Sequence, residues 1–126
     1  MNEFNVIISG GQDFKDYELL KNKCDFYLSR KIKEGKKIIV ISGGTEGADK
    51  LGEKYAAENG FEVRRFIADW NRFGKFAGLR RNQQMTEIGN ACIVFLSSYG
   101  ENKGANNLIS TARKNHLLVR EINEED

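Results

Sequence analysis

Apolar positions along the chain follow two alternating periods. Residues 4–8 and 37–41 are short β-branched runs, each halted by Ser-Gly-Gly. Residues 61–67, 91–96 and 117–122 supply three more runs of strand character. Between the first two, a helical period over 16–34 sets Tyr17, Leu20, Cys24, Tyr27, Leu28 and Ile32 on one face. Ala48, Leu51, Gly52, Tyr55 and Ala56 repeat that spacing, with Asn59-Gly60 as the stop. A third helix is expected over about 78–88, ending at Gly89, and a fourth over about 105–115 with Ala105, Leu108, Ile109 and Ala112 inward. The stretch between the third strand and third helix reads as a loop.

Strand and helix thus alternate from end to end, which predicts an α/β, Rossmann-like, doubly wound and mainly parallel five-stranded sheet with helices on both faces. The strands are near-continuous apolar runs, as strands covered on both faces should be. No linker or low-complexity segment interrupts residues 1–122, which read as one domain. An acidic tail is expected at 123–126. The one internal echo is Ile-Ile-Ser-Gly-Gly at 7–11 against Val-Ile-Ser-Gly-Gly at 40–44. These are two strand ends that should lie side by side, at the edge where open α/β sheets bind ligands.

Composition narrows the class. With 126 residues, 40% hydrophobic and 30% charged, the chain fits one ordinary globular core. Its apolar runs, such as 38–41, are far too short to cross a bilayer, and Met1-Asn2-Glu3 lacks the order of a signal peptide, so a cytoplasmic setting is expected. Cys24 and Cys92 lie within apolar patterns and read as buried thiols. Without ligand spacing they imply no metal, and no cofactor is expected. His116, the single histidine, reads as a helix-end residue.

The net charge of +2 does not argue for nucleic acid. Its placement is uneven, however. Residues 64–81 carry Arg64, Arg65, Arg72, Lys75, Arg80 and Arg81 against Asp69 alone, while the end holds Glu121, Glu124, Glu125 and Asp126. The basic stretch is a candidate anion site.

Three stretches carry candidate chemistry. In Ser42-Gly43-Gly44-Thr45-Glu46-Gly47-Ala48-Asp49 a strand runs through glycines into a helix start. Glycines let the backbone approach a ligand, and the unpaired N–H groups of a helix start suit phosphate. Ser42 and Thr45 add hydroxyls, and Glu46 and Asp49 are suited to the helix start or to contact with a ribose or base. The loop matches neither a Walker A motif nor the dinucleotide fingerprint, and a plain tight turn would read the same way. Second, Asp69, Trp70, Lys75, Arg81 and Asn82 bring an aromatic ring and cations together, able to stack on a base and to pair with phosphate. Third, residues 97–107 pass from a strand through Gly100 and Gly104 into another helix. Convergence of this loop with the two Ser-Gly-Gly turns, including Gly10, Gly11 and Asp13, points to a shared site.

These stretches resemble the YspA-like (YpsA-related) branch of the SLOG superfamily, Rossmann-like domains related to the LOG nucleotide phosphoribohydrolases and to the DprA/Smf proteins. The resemblance rests on residues 6–13, on 42–49, on Ala68-Asp69-Trp70, on Gly74-Lys75, on Ala77-Gly78, on Arg81-Asn82 through Met85, and on Gly104-Ala105. It implies a nucleotide-type ligand at the strand ends and a homodimer, although no interface stripe stands out. Gln12 stands where that family usually has Arg, Leu79 where it often has Pro, and Gly104-Ala105 replaces Gly-Thr. Arg81 fits the arginine of the LOG enzymes, whereas Asn107 stands where their glutamate is expected, and an amide supplies no carboxylate charge. Hydrolysis would then need Asp13, Glu46, Asp49, Asp69 or Glu101, with Asp13, Glu46 and Arg81 the catalytic candidates.

The reading favoured by the sequence is a nucleotide-binding domain that senses or sequesters its ligand. A nucleotide hydrolase cleaving an N-glycosidic or phosphate bond is the alternative. Single-stranded DNA binding is a second alternative, weakened by the near-neutral charge.

Overall fold

In the computed structural model, which describes residues 2–100 and 102–124, the five apolar runs become five strands of one sheet. The chain order is β1 (Glu3–Gly10), α1 (Tyr17–Lys33), β2 (Lys37–Ser42), α2 (Ala48–Asn59), β3 (Glu62–Arg65), α3 (Trp70–Phe73), α4 (Ala77–Ile88), β4 (Ala91–Leu96), α5 (Lys103–Lys114) and β5 (Leu118–Asn123). The strands lie in the order β3-β2-β1-β4-β5, and every neighbouring pair is parallel. The chain builds outward from β1 through β2 to β3, then returns to the other side of β1 to lay down β4 and β5. The switch in strand order therefore falls between β1 and β4.

Strand alternation divides the core into two layers. Val6, Ile8, Val40, Ile93 and Phe95 face Leu20, Cys24 and Leu28 of α1 and Tyr55 and Ala56 of α2. Ile7, Ile41, Cys92 and Val94 face Met85 of α4 and Leu108, Ile109 and Ala112 of α5. Right-handed crossovers require this division, because α1 and α2 carry the chain one way across the sheet and α4 and α5 the other. Burial pushes the Cys92 thiol up to about 12 and the Cys24 thiol upward as well, so both thiols stay protonated and unreactive at neutral pH. His116 follows α5 in a left-handed turn at φ 63°.

Three local expectations change. Ile32, read as inward, is 44% exposed, since it lies on the last turn of α1 where the chain is already turning toward β2. The third strand is cut to four residues because it pairs only with β2, and past Arg65 the chain leaves the sheet. The stretch read as a loop contains α3 and a 3-10 turn, Gly74–Phe76, that runs straight into α4. Asp69 starts α3 by accepting the Arg72 N–H at 3.1 Å. At the chain's end, the Glu124 carboxylate accepts the backbone N–H groups of Lys15 and Ser98, each at 3.2 Å. The last two residues of the expected tail lie outside the described residues. Among the described residues, no helix is long and apolar enough to cross a membrane.

Candidate functional site

The ends of β1, β2 and β4 meet at one edge, and each leaves the sheet differently. At Gly10 the backbone adopts φ 156°, and a Cβ there would lie 1.9 Å from the carbonyl oxygen of Phe95. Any side chain at this position collides with the backbone of β4. The absence of one lets the Gly11 N–H donate to Phe95 O at 2.9 Å just past the switch in strand order. The Gly11 carbonyl in turn accepts the Ala48 N–H at 3.2 Å, which docks the first turn on the start of α2.

The second turn is drawn outward instead. Ser42 Oγ donates to Glu53 Oε2 at 2.6 Å and accepts the Gly44 N–H at 3.0 Å. Arg65 clamps the same carboxylate through Nε at 2.9 Å and Nη2 at 2.5 Å. Partial burial raises the pKa of Glu53, but the Arg65 and Ser42 hydrogen bonds outweigh it and hold the carboxyl below the usual range. Gly43 is threaded through a gap, where a Cβ would lie 2.7 Å from Asp49 Oδ2 and 2.9 Å from Arg81 Nη1.

Asp49 sits in the first turn of α2 and is only 2% exposed. Its carboxylate is held on both sides: Ser9 Oγ donates to Oδ1, while Thr45 donates to Oδ2 through Oγ1 at 2.8 Å and through its N–H at 3.2 Å. A negative charge is favourable there, near the positive end of the helix. Arg81 reaches in from α4, donating from Nη1 to Gly43 O at 2.9 Å and from Nε to Asn82 Oδ1 at 3.1 Å. Burial pulls the Arg81 guanidinium down from its ordinary value, and the charge of Asp49 opposes that shift. It stays a cation, because arginine starts so far above neutrality.

The third loop leaves a helix start open. The Asn102 side chain is committed to Ser97, donating to its carbonyl at 2.9 Å and accepting its N–H at 3.0 Å. It therefore provides no side-chain cap for α5. The first-turn N–H groups at Lys103, Gly104 and Ala105 are left for another acceptor. Asn82, 4% exposed, fixes this start against α4: its Nδ2 donates to Gly104 O at 3.2 Å and to Asn107 Oδ1 at 2.9 Å.

Together these loops enclose a cleft of about 200 Å³. Of the residues singled out from sequence, Gly10, Gly11, Thr45, Asp49, Arg81, Asn82, Gly104 and Ala105 line it. Ser42, Gly43 and Gly44 stand behind that lining, and Gly47 packs against the backbone of Gly11 and Gln12. Asp13 lies against Gly100 rather than in the cleft, and Glu46 borders a separate shallow hollow with Lys15 and Lys50. Asp69 caps α3, Trp70 is 60% exposed, and Lys75 reaches over the ring of Phe76. Glu101 is outside the described residues. Ser9, Gln12, Asn102 and Lys103 also line the cleft, though none of them was read from the sequence as a ligand-binding residue. The signal that would have found them is adjacency, since they flank Gly10-Gly11 and precede Gly104.

A family model described as "YspA, cpYpsA-related SLOG family" matches residues 4–73. That span takes in both Ser-Gly-Gly turns and Asp49 but ends before Arg81 and α5. The Gene 61 protein of Mycobacterium phage D29 is 30% identical over 120 residues, covering 90% of this chain and 92% of that protein. No solved structure matches the chain. The chain belongs to the YspA, cpYpsA-related SLOG family.

Proposed function

We propose that the cleft binds a nucleotide or nucleotide-derived phosphorylated ligand, and that the domain senses or sequesters it. The observation that carries this reading is the convergence of the Arg81 guanidinium and the uncapped start of α5 on one small cleft. Backbone N–H groups at a helix start and an arginine fork are the two groups best matched to phosphate oxygens. Lys103 adds a third cationic group at the same end. Asp49 lies within the same lining and repels an anion, so the phosphate sits toward α5 and neutral hydroxyls sit toward Thr45 and Asp49. Family membership supports a nucleotide-related role.

Binding is favoured over turnover by the state of the carboxylates. Among the described residues, Asp49 is the carboxylate in the cleft lining and is tied to Ser9 and Thr45, while Asp13 and Glu46 lie outside that lining. A general base must reach its proton, and neither of those two reaches the cleft. Single-stranded DNA is disfavoured because 200 Å³ does not admit a strand and the net charge is only +2.

The test is incubation of the purified protein with nucleoside monophosphates, cyclic nucleotides and dinucleotides, followed by mass spectrometry. Ligand retained intact is the expected result. Released base or ribose phosphate would make the domain a hydrolase. Arg81→Gln should weaken binding at least about 30-fold, on the order of 2 kcal/mol, while the protein still unfolds in one cooperative transition.

A further inference from the structure

A second groove adjoins the cleft, with Arg81 as the wall between them. It measures about 170 Å³ and is bordered by Ile67, Asp69, Arg72, Phe73, Arg80 and Gln84. Arg72 comes from α3 and Arg80 from α4, and each guanidinium carbon lies 5.0 Å from the centre of the Phe73 ring. The ring seats both cations but uses none of their N–H groups.

Some of the chain's other cations have carboxylate partners, although Arg30 and Arg120 have none within 4 Å among the described residues. Arg64 pairs with Glu62, Arg65 with Glu53, Arg113 with Glu121 and Lys37 with Glu62. Among the described residues, neither Arg72 nor Arg80 has an ion pair within 4 Å, and neither does Arg81. The groove's one acid, Asp69, accepts the backbone N–H of Arg72 and keeps its charge, so three cations outweigh one carboxylate there. Three guanidiniums around one groove attract an anion, and their forked donors match phosphate oxygens. The cleft's size points the same way. Sites for small organic ligands usually run to roughly 300–1,000 Å³, so 200 Å³ holds only part of a nucleotide.

We propose that the groove is a second anion subsite, and that the ligand carries two linked phosphate-type groups. One sits at the start of α5, one lies between Arg72 and Arg80, and Arg81 stands between the two. The ligand class is then a nucleoside diphosphate or a dinucleotide joined through a pyrophosphate, in preference to a monophosphate. This inference rests on the reading of the cleft given above.

Calorimetric titration of the full chain with AMP, ADP, a pyrophosphate-bridged dinucleotide and inorganic pyrophosphate tests it. The wild type should bind the pyrophosphate-containing nucleotides at least roughly tenfold more tightly than AMP. In the double variant Arg72→Gln/Arg80→Gln, whose folding is checked by its melting curve, that ratio should fall to about one. A ratio near one in the wild type, or one unchanged in the double variant, overturns the second subsite while leaving the cleft's assignment intact. Binding of no nucleotide at all overturns both. Tight binding of a single-stranded oligonucleotide that depends on Arg72 and Arg80, without a preference for ADP over AMP, overturns the inference and assigns the groove to a nucleic acid. ADP and the dinucleotide, titrated separately, distinguish the two sources of the paired phosphates.

Discussion

The two Ser-Gly-Gly turns share their sequence and lie on neighbouring strands, yet they do different jobs. Ser9 bonds to Asp49, and Gly10 and Gly11 line the cleft. Ser42 bonds away from the cleft to Glu53, and Gly43 and Gly44 stand behind the lining, where Gly43 O holds Arg81. Position in the sheet explains the difference. β1 lies between β2 and β4, so its turn opens at the switch in strand order, whereas β2 has β3 on its outer side. The first turn forms the cleft, and the second braces it. A motif read without its strand's place in the sheet does not say which role it has.

Gly10→Ala should separate the two turns most sharply. Its new methyl would overlap the Phe95 carbonyl, a backbone group with nowhere to go, and we expect a loss of more than about 4 kcal/mol in urea unfolding. Near-normal stability would mean that the β1–β4 contact is dispensable. Asp49→Ala comes next. It strands the Ser9 and Thr45 donors in a buried place, for a cost of about 3 kcal/mol in the same assay. Gly43→Ala should do the reverse of Gly10→Ala. Its methyl would press on the Asp49 carboxylate and on the end of the Arg81 side chain, so both are displaced, whereas the backbone of β4 is untouched. Stability should fall by less than in Gly10→Ala, while ligand affinity falls at least about tenfold. Equal damage to folding and binding would erase the distinction between a forming and a bracing turn.

The smallest effect concerns the brace itself. Glu53 has a lowered folded-state pKa, so its contribution is present above its unfolded value and is lost as pH falls through the folded one. Wild type should therefore melt above Glu53→Gln at neutral pH, and the two should converge in acid, below the ordinary glutamate value of about 4.3. Parallel melting temperatures across that range would show that the Arg65–Glu53 clamp adds nothing.

The fold was legible because its signals are local and repeated. Five apolar runs, each followed by a helical period or a stop, leave few topologies once crossovers are right-handed. α3 was not legible, since a four-residue helix shows no period and its one cue, Asp69 as a cap, also suits a turn. The site was legible where glycines mark it and illegible where side chains act at long range. Asn102 leaves α5 uncapped by bonding to Ser97, an arrangement no spacing rule announces. Nor does sequence tell that Arg64 and Arg65 are paired with acids while Arg72 and Arg80 are not, although all four read alike in the basic stretch.

A two-dimensional NMR titration of the backbone amides and arginine Nε–H groups with a nucleoside monophosphate tests the cleft most directly. Saturable shifts should centre on Gly10, Gly11, Thr45, Gly104, Ala105 and the Arg81 side chain, with the start of α5 moving most. Shifts centred away from these residues, or none at millimolar ligand, would contradict a phosphorylated-ligand site at the switch in strand order.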